Sequence, residues 1–227
     1  MARSLLSSKC LPALLSLALL VGFAPAGSAV QKLPEVSPEG LMLIDNTKAY
    51  AVYLQEGVDF SGYDKVALLE CYVAFKKNWQ REQSFRVSDS DMMKIKNELA
   101  EEFKLVYSET LRQKGLEVVD EAGPGVLILR PAIINLDIAA PDVMHAGRSR
   151  TFATSAGEMT LFLEAFDGVS GALLARVIDP ERAHDYGTMQ VVNGVTNKAD
   201  ADRILKKWAE ALGDYLARAR ASGAAQQ

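Results

Sequence analysis

The chain has 227 residues, of which 25 are Lys or Arg and 29 are Asp or Glu, giving a net charge of −4 at neutral pH. Apolar residues make up 49% of it, which suits a packed globule and excludes intrinsic disorder. The acidic balance argues against nucleic acid or anionic lipid as the main partner.

Arg3 and Lys9 lead into a largely apolar run, Leu11 to Phe23, that gives way to small residues ending at Ala29. A bilayer-spanning helix needs ~20 apolar residues, so this shorter run is expected to be a secretory signal peptide, residues 1–29. A cut after Ala26 and an uncleaved anchor are the alternatives. A bacterial lipoprotein would carry a cysteine directly after the apolar run, whereas Cys10 precedes it, so no lipid anchor is expected. The chain from Val30 on would hold 23 basic and 29 acidic residues, a charge of about −6, and is expected to be exported and periplasmic, soluble or peripherally attached to a membrane. Cys71 would be its only thiol, and its place in the apolar run Val66 to Phe75 suits a small core residue better than a nucleophile.

Residues 30–40, with Pro34, Pro38 and Gly40, read as a flexible leader, 41–220 as a single domain and 221–227 as a disordered tail. Leu41–Ile44 and Ala49–Leu54 flank the turn-forming Asp45-Asn46-Thr47-Lys48 and suggest a hairpin. Lys65–Phe75 is apolar on both faces except at Glu70, as in a central strand. A polar connection follows, Lys76 to Val87, and then an amphipathic helix with Ser88 as N-cap, Asp91 three residues on, and Gly115 past its last turn.

Leu116–Asp120 completes a strand–helix–strand crossover with parallel strands. Val126–Asp137 is a long strand whose Pro131 requires a bulge, a break or an edge position. Glu158–Asp167 alternates as a half-buried strand, and the turn Gly168–Gly171 returns the chain through Ala172–Asp179 as its antiparallel partner. A second helix starts near Asn197, with Ile204, Leu205, Trp208, Ala211, Leu212, Tyr215 and Leu216 on its apolar face and Lys206–Glu210 and Asp214–Arg218 spaced as ion pairs. The expected fold class is α+β: a two-layer sandwich with a mixed sheet of about five strands and two long helices on one face.

Several stretches resemble one family. They are the run Tyr53-Leu-Gln-Glu-Gly-Val-Asp-Phe-Ser-Gly-Tyr-Asp-Lys-Val, the Trp79 loop, Arg86-Val-Ser-Asp, Val118-Val-Asp-Glu-Ala-Gly-Pro and Asp167-Gly-Val-Ser-Gly-Ala-Leu-Leu-Ala. Together they look like the bacterial envelope family DUF3313, a likeness that covers nearly all of the chain after residue 29. Many members of that family look like lipoproteins, a pattern this chain departs from by lacking the cysteine. The resemblance implies no activity, and its motifs mark turns rather than an active site.

Chemistry has few places to reside. Two long connections, Ile138–Ala156 and Pro180–Thr196, exceed the usual ~12–15 residues of a structureless loop. If they meet, His145, His184, Asp142 and Asp185 could surround a divalent metal, but the tight ligand spacing of metal motifs is missing. No serine stands in a G-x-S-x-G elbow, and Gly123 and Gly125 lack the rest of a dinucleotide fingerprint. No cofactor or metal is therefore expected. Trp79 and Phe85 among Lys76, Lys77, Arg81 and Arg86, together with Arg148 and Arg150, form the candidate partner-binding set, with Trp79 tucked onto the sheet as the plainer alternative. The reading is a non-enzymatic envelope module that binds a protein or another envelope component and is compatible with a homo-oligomer. The alternative is a small metal-dependent or hydrolytic enzyme using the histidine-bearing loops.

Overall fold

A computed structural model describes residues 33–83, 87–139, 151–153, 157–183, 190–192 and 194–224, so the expected signal segment lies outside the described residues. The chain opens with the hairpin β1 (Met42–Leu43) and β2 (Ala51–Leu54), turned at Asn46 with φ 58°. Asn tolerates this left-handed conformation better than most residues. Next come β3 (Lys65–Leu68), β4 (Tyr72–Phe75), the single turn α1 (Trp79–Glu82), α2 (Asp89–Gln113), β5 (Glu117–Val119) and β6 (Val126–Ile138). The second half holds β7 (Thr151–Ala153), β8 (Gly157–Asp167), β9 (Leu173–Arg182), β10 (Gln190–Val192) and α3 (Gly194–Ala224).

The main sheet orders its strands β1-β2-β9-β8-β6-β3-β5, with β4 also on β6, eight strands among the described residues where about five were expected. The surplus is the β1–β2 hairpin, which was expected but joins the same sheet through β9, and the splitting of Lys65–Phe75 into two. β3 pairs parallel with β5 and β6, and β8 and β9 complete the antiparallel side.

The split has a simple cause. Leu68 faces Leu129 and Tyr72 faces Ala132, so the β3–β4 segment carries one residue more than β6 over the same span. A one-residue bulge inverts every side chain beyond it. Val66 and Leu68 therefore point into the core before it, and Cys71, Val73 and Phe75 after it, which corrects the uninterrupted alternation expected for Lys65–Phe75. Pro131 of β6 lies at this level. Leu129 accepts from the Leu69 N–H, so by alternation the N–H that Pro131 lacks would also have pointed toward the bulge. A second bulge, with Asn135 at φ 53°, restores Leu136 to the core.

The α2 N-terminus is a capping box: the Asp91 N–H donates to Ser88 Oγ at 3.1 Å and the Ser88 N–H to Asp91 Oδ2 at 3.2 Å. Its C-terminus is closed by Gly115 at φ 77° and by Arg220 of α3, which donates to the carbonyls of Lys114 and Gly115 at 2.9 and 2.8 Å. Asp214, expected to pair with Arg218, instead meets Lys114 at 2.6 Å, while Lys206 reaches Glu210 at 4.0 Å as the spacing suggested. α3 begins three residues earlier than expected. Phe103, Tyr107 and Leu111 of α2 share one buried cluster with Ile204, Leu205, Trp208 and Leu216 of α3 and with Leu129, Ile133, Leu161 and Leu163 of the sheet. Ala211 is exposed rather than part of that face, and Tyr215 lies at its margin, 41% exposed with its ring edge-to-face on Phe60 at 5.7 Å.

From Leu33 on, the expected leader is held by the fold. The Tyr53 hydroxyl donates to the Pro34 carbonyl at 3.0 Å, the Leu43 N–H donates to the Glu35 carbonyl, and Leu33 packs against Leu41, Ala51 and Tyr53.

Two buried polar groups have opposite consequences. Asp179 accepts from the Trp208 indole N–H and the Tyr50 backbone N–H, both at 2.9 Å, tying α3 to β9 and to the turn that enters β2. The fully buried Tyr107 hydroxyl has no hydrogen-bond partner among the described residues. Urea denaturation is expected to show Asp179→Ala destabilised by about 2–4 kcal/mol and Tyr107→Phe unchanged or stabilised by about 1 kcal/mol.

Candidate functional site

The sheet has chemically different faces. Opposite the core residues, β6 presents Ile128, Arg130, Ala132 and Ile134, β8 presents Thr160, Phe162, Glu164 and Phe166, and β9 presents Arg176 and Ile178. At the β2 end, residues 33–41 cover this outer face. Toward β4 it is open among the described residues: Tyr72 is 65% exposed, and Ile128, Ala132, Ile134, Phe162 and Phe166 are half-buried. Parallel strands are usually covered on both faces, so an apolar area left half-buried here is a candidate interaction surface.

At its centre three strands in register align Arg130, Glu164 and Arg176. Glu164 Oε2 accepts from Arg130 Nε at 2.9 Å and from its Nη2, while Oε1 accepts from Arg176 Nε and Nη2 at 3.1 and 2.7 Å. Arg176 Nη1 extends the ladder to Glu39 Oε2 at 2.7 Å. The Arg130 guanidinium lies 4.8 Å over Phe166 and that of Arg176 lies 5.3 Å over Phe162. Side-chain exposure falls from 59% at Arg130 to 13% at Arg176 and 5% at Glu164. A carboxylate this buried is tolerated because two forked guanidiniums satisfy both oxygens. Its hydrogen bond from Arg176 holds the Glu39 carboxyl down at about 2, and Arg176 is raised in turn, chiefly by Glu39 and then by Glu164.

The residues singled out in sequence fare differently. Trp79 is 1% exposed, stacked on Phe75 with ring centres 4.2 Å apart, and donates its indole N–H to the Ile138 carbonyl at 3.3 Å. It is a core residue and no docking anchor, because α1 turns it back onto Phe75 and the end of β6. Arg81 is exposed on α1, and Lys76 pairs with Asp137 at 3.1 Å. Phe85, Arg86, Arg148 and Arg150 lie outside the described residues, as do His145, His184, Asp142 and Asp185. The two long connections do meet, for β7 of the first pairs antiparallel with β10 of the second. No His, Cys, Asp and Glu group suited to a metal occurs among the described residues. Cys71 is buried, which pushes its thiol up to about 12.

A second feature went unseen in sequence: a cleft of about 180 Å³ between the first halves of α2 and α3 and the ends of β6 and β8. Leu99, Ile138, Met159 and Ile204 line it, and Lys198 bridges two carboxylates at its rim, Glu102 at 2.6 Å and Asp202 at 3.6 Å. Burial, and then the neighbouring Glu102, raise the Asp202 carboxyl. The cleft floor includes Gly157, where a Cβ would come within 2.1 Å of the Asp137 carbonyl.

Glu164→Ala leaves Arg176 short of a counter-ion in a nearly buried place and is expected to cost about 3 kcal/mol, whereas Arg130→Ala leaves Glu164 its two hydrogen bonds from Arg176 and is expected to cost less, about 1–2 kcal/mol by chemical denaturation. Glu39 titrates lower in the folded chain, about 2, than its ordinary 4.5, so its contribution is complete above that ordinary value and lost as pH falls toward 2. The melting-temperature gap between the wild type and Glu39→Gln is therefore expected near neutral pH and closed by about pH 2.

No curated protein matches the chain. Among solved structures it is similar to the PelC dodecamer from Paraburkholderia phytofirmans, at 12% identity over 70% of this chain and 96% of that one, with a TM-score of 0.38. It is also similar to a DUF4136 family protein from Bacteroides thetaiotaomicron, at 9% identity over 70% of this chain and 95% of that one, with a TM-score of 0.30. These distant likenesses say nothing of what this chain binds. No described helix is long and apolar enough to cross a membrane. The family model for proteins of unknown function DUF3313 matches residues 44–212, from the β1–β2 turn to the middle of α3, and the chain belongs to that family.

Proposed function

We propose that this chain is an exported, non-enzymatic accessory of the bacterial cell envelope that binds a protein partner on the outer face of its sheet. The Arg130–Glu164–Arg176 ladder, set among Phe162 and Phe166 on an open face, carries this reading. Aromatic and Arg side chains dominate binding energy at protein interfaces, chiefly when they are held in place before the partner arrives. Arg130 meets that condition: Glu164 and Phe166 fix its guanidinium, yet more than half of the side chain stays exposed and can donate to a partner's carboxylates. The charged start and apolar run of residues 1–29 support export, and the lack of a cysteine after that run supports a soluble or peripherally attached protein rather than a lipidated one.

A photocrosslinking residue placed at Thr160, on the outer face, is expected to capture a discrete envelope protein in intact cells, with the adduct reduced in an Arg130→Ala background. The same residue at Leu105, exposed on α2, is expected to capture none. Equal capture from both positions, or none from Thr160, overturns the reading.

A further inference from the structure

The outer edge of β4 is an unfinished ladder. β5 covers β3 and ends at Val119, so among the described residues β4 is paired on one side alone, with β6. The Lys76 N–H donates to the Leu136 carbonyl, toward β6. By alternation Tyr72 and Ala74 also address β6, and the N–H and C=O of Val73 and Phe75 point the other way, out of the sheet. An edge with unpaired donors and acceptors is a template for another strand, and proteins commonly guard it with a charge, a proline or a covering element. Here the neighbouring side chains include Tyr72, 65% exposed, and Leu69, 46% exposed.

We infer that this edge pairs with β4 of a second copy of the chain, antiparallel about a two-fold axis through Ala74. Three observations select a second copy. The outward groups of Val73 and Phe75 lie symmetrically about Ala74, so a two-fold places Val73 opposite Phe75 of the second copy and the reverse, closing four hydrogen bonds. The side chain at the axis is Ala74, small enough to let the strands approach. The ends of the segment have opposite charge: exposed Glu70 precedes β4, and Lys76 and exposed Lys77 follow it. Antiparallel pairing brings Glu70 diagonally across from Lys76 of the second copy, and Tyr72 directly opposite that lysine, a favourable cross-strand arrangement. A parallel neighbour would instead set like charges side by side. The pairing joins the two sheets into one and makes their outer faces continuous, which goes beyond the partner binding proposed above and does not depend on it.

The test uses the protein as purified from the producing cell. Light scattering after gel filtration is expected to give twice the monomer mass, and the Val73 and Phe75 amides are expected to exchange hydrogen more slowly as protein concentration rises. Tyr72→Lys, at an exposed position with no folding role, sets two ammonium groups opposite each other and is expected to raise the dimer Kd about tenfold. Val73→Pro removes an outward N–H that the monomer does not use and is expected to be monomeric, while Val73→Ala, which loses the same packing but keeps the N–H, stays dimeric. If Val73→Pro fails to fold, the exchange of the wild-type amides still decides. A wild type that is monomeric at every concentration, with fast exchange at both amides, overturns the inference, as does a dimer in which Tyr72→Lys or folded Val73→Pro changes nothing.

Discussion

The fold turns on one mismatch of length. Between Leu68 and Tyr72 the chain spends one residue more than β6 does between Leu129 and Ala132, and Pro131 stands on the β6 side of the gap. Proline in a central strand removes a ladder hydrogen bond, a loss that is tolerated where the neighbouring strand has already left the ladder. The same mismatch inverts side-chain parity, so that Val66 and Leu68 before it and Cys71, Val73 and Phe75 after it all reach the helices. Without it one half of this segment would turn its apolar side chains to solvent. The long crossover helix can lie along both halves because both present apolar groups to it.

The two long helices then lock to each other as well as to the sheet. Their ion pairs advance together, Glu102 with Lys198, Lys114 with Asp214, and the end of α2 with Arg220, so the helices run side by side in the same direction. Arg220 meets the carbonyls of Lys114 and Gly115 just past the α2 C-terminus, where a cation is favoured. The core-facing apolar surface of both helices and of one sheet face is thereby consumed internally. Among the described residues the outer sheet face and the edge of β4 remain open, and they adjoin at Tyr72.

What could be read in the sequence was local. The Ser88–Asp91 capping box, Gly115 at the helix end, the β8–β9 hairpin and the consequence of Pro131 each depend on residues within a few positions of one another. The Arg130–Glu164–Arg176 ladder was illegible because its members sit 34 and 12 residues apart and meet only through strand register. Glu164 could be placed on the polar side of an alternating strand, but nothing near it in sequence marks it as buried. Trp79 was open to two readings because its neighbours are basic and polar, and the plainer one holds: one turn of helix returns it to Phe75 and Ile138. Residues 33–40 looked like a leader because Pro34, Pro38 and Gly40 punctuate them, yet Tyr53 and Arg176, far along the chain, hold them in place.

The chain carries two tryptophans, and they stand in separate surroundings. Trp208 reports on α3, its indole N–H fixed by the Asp179 carboxylate, while Trp79 reports on the turn after β4, stacked on Phe75. Intrinsic fluorescence is consequently a two-channel signal. With Trp79→Phe the remaining emission follows the seating of the last helix, and with Trp208→Phe it follows the end of the open-edged strand. Loosening at one place could then be told from loosening at the other without attaching any label.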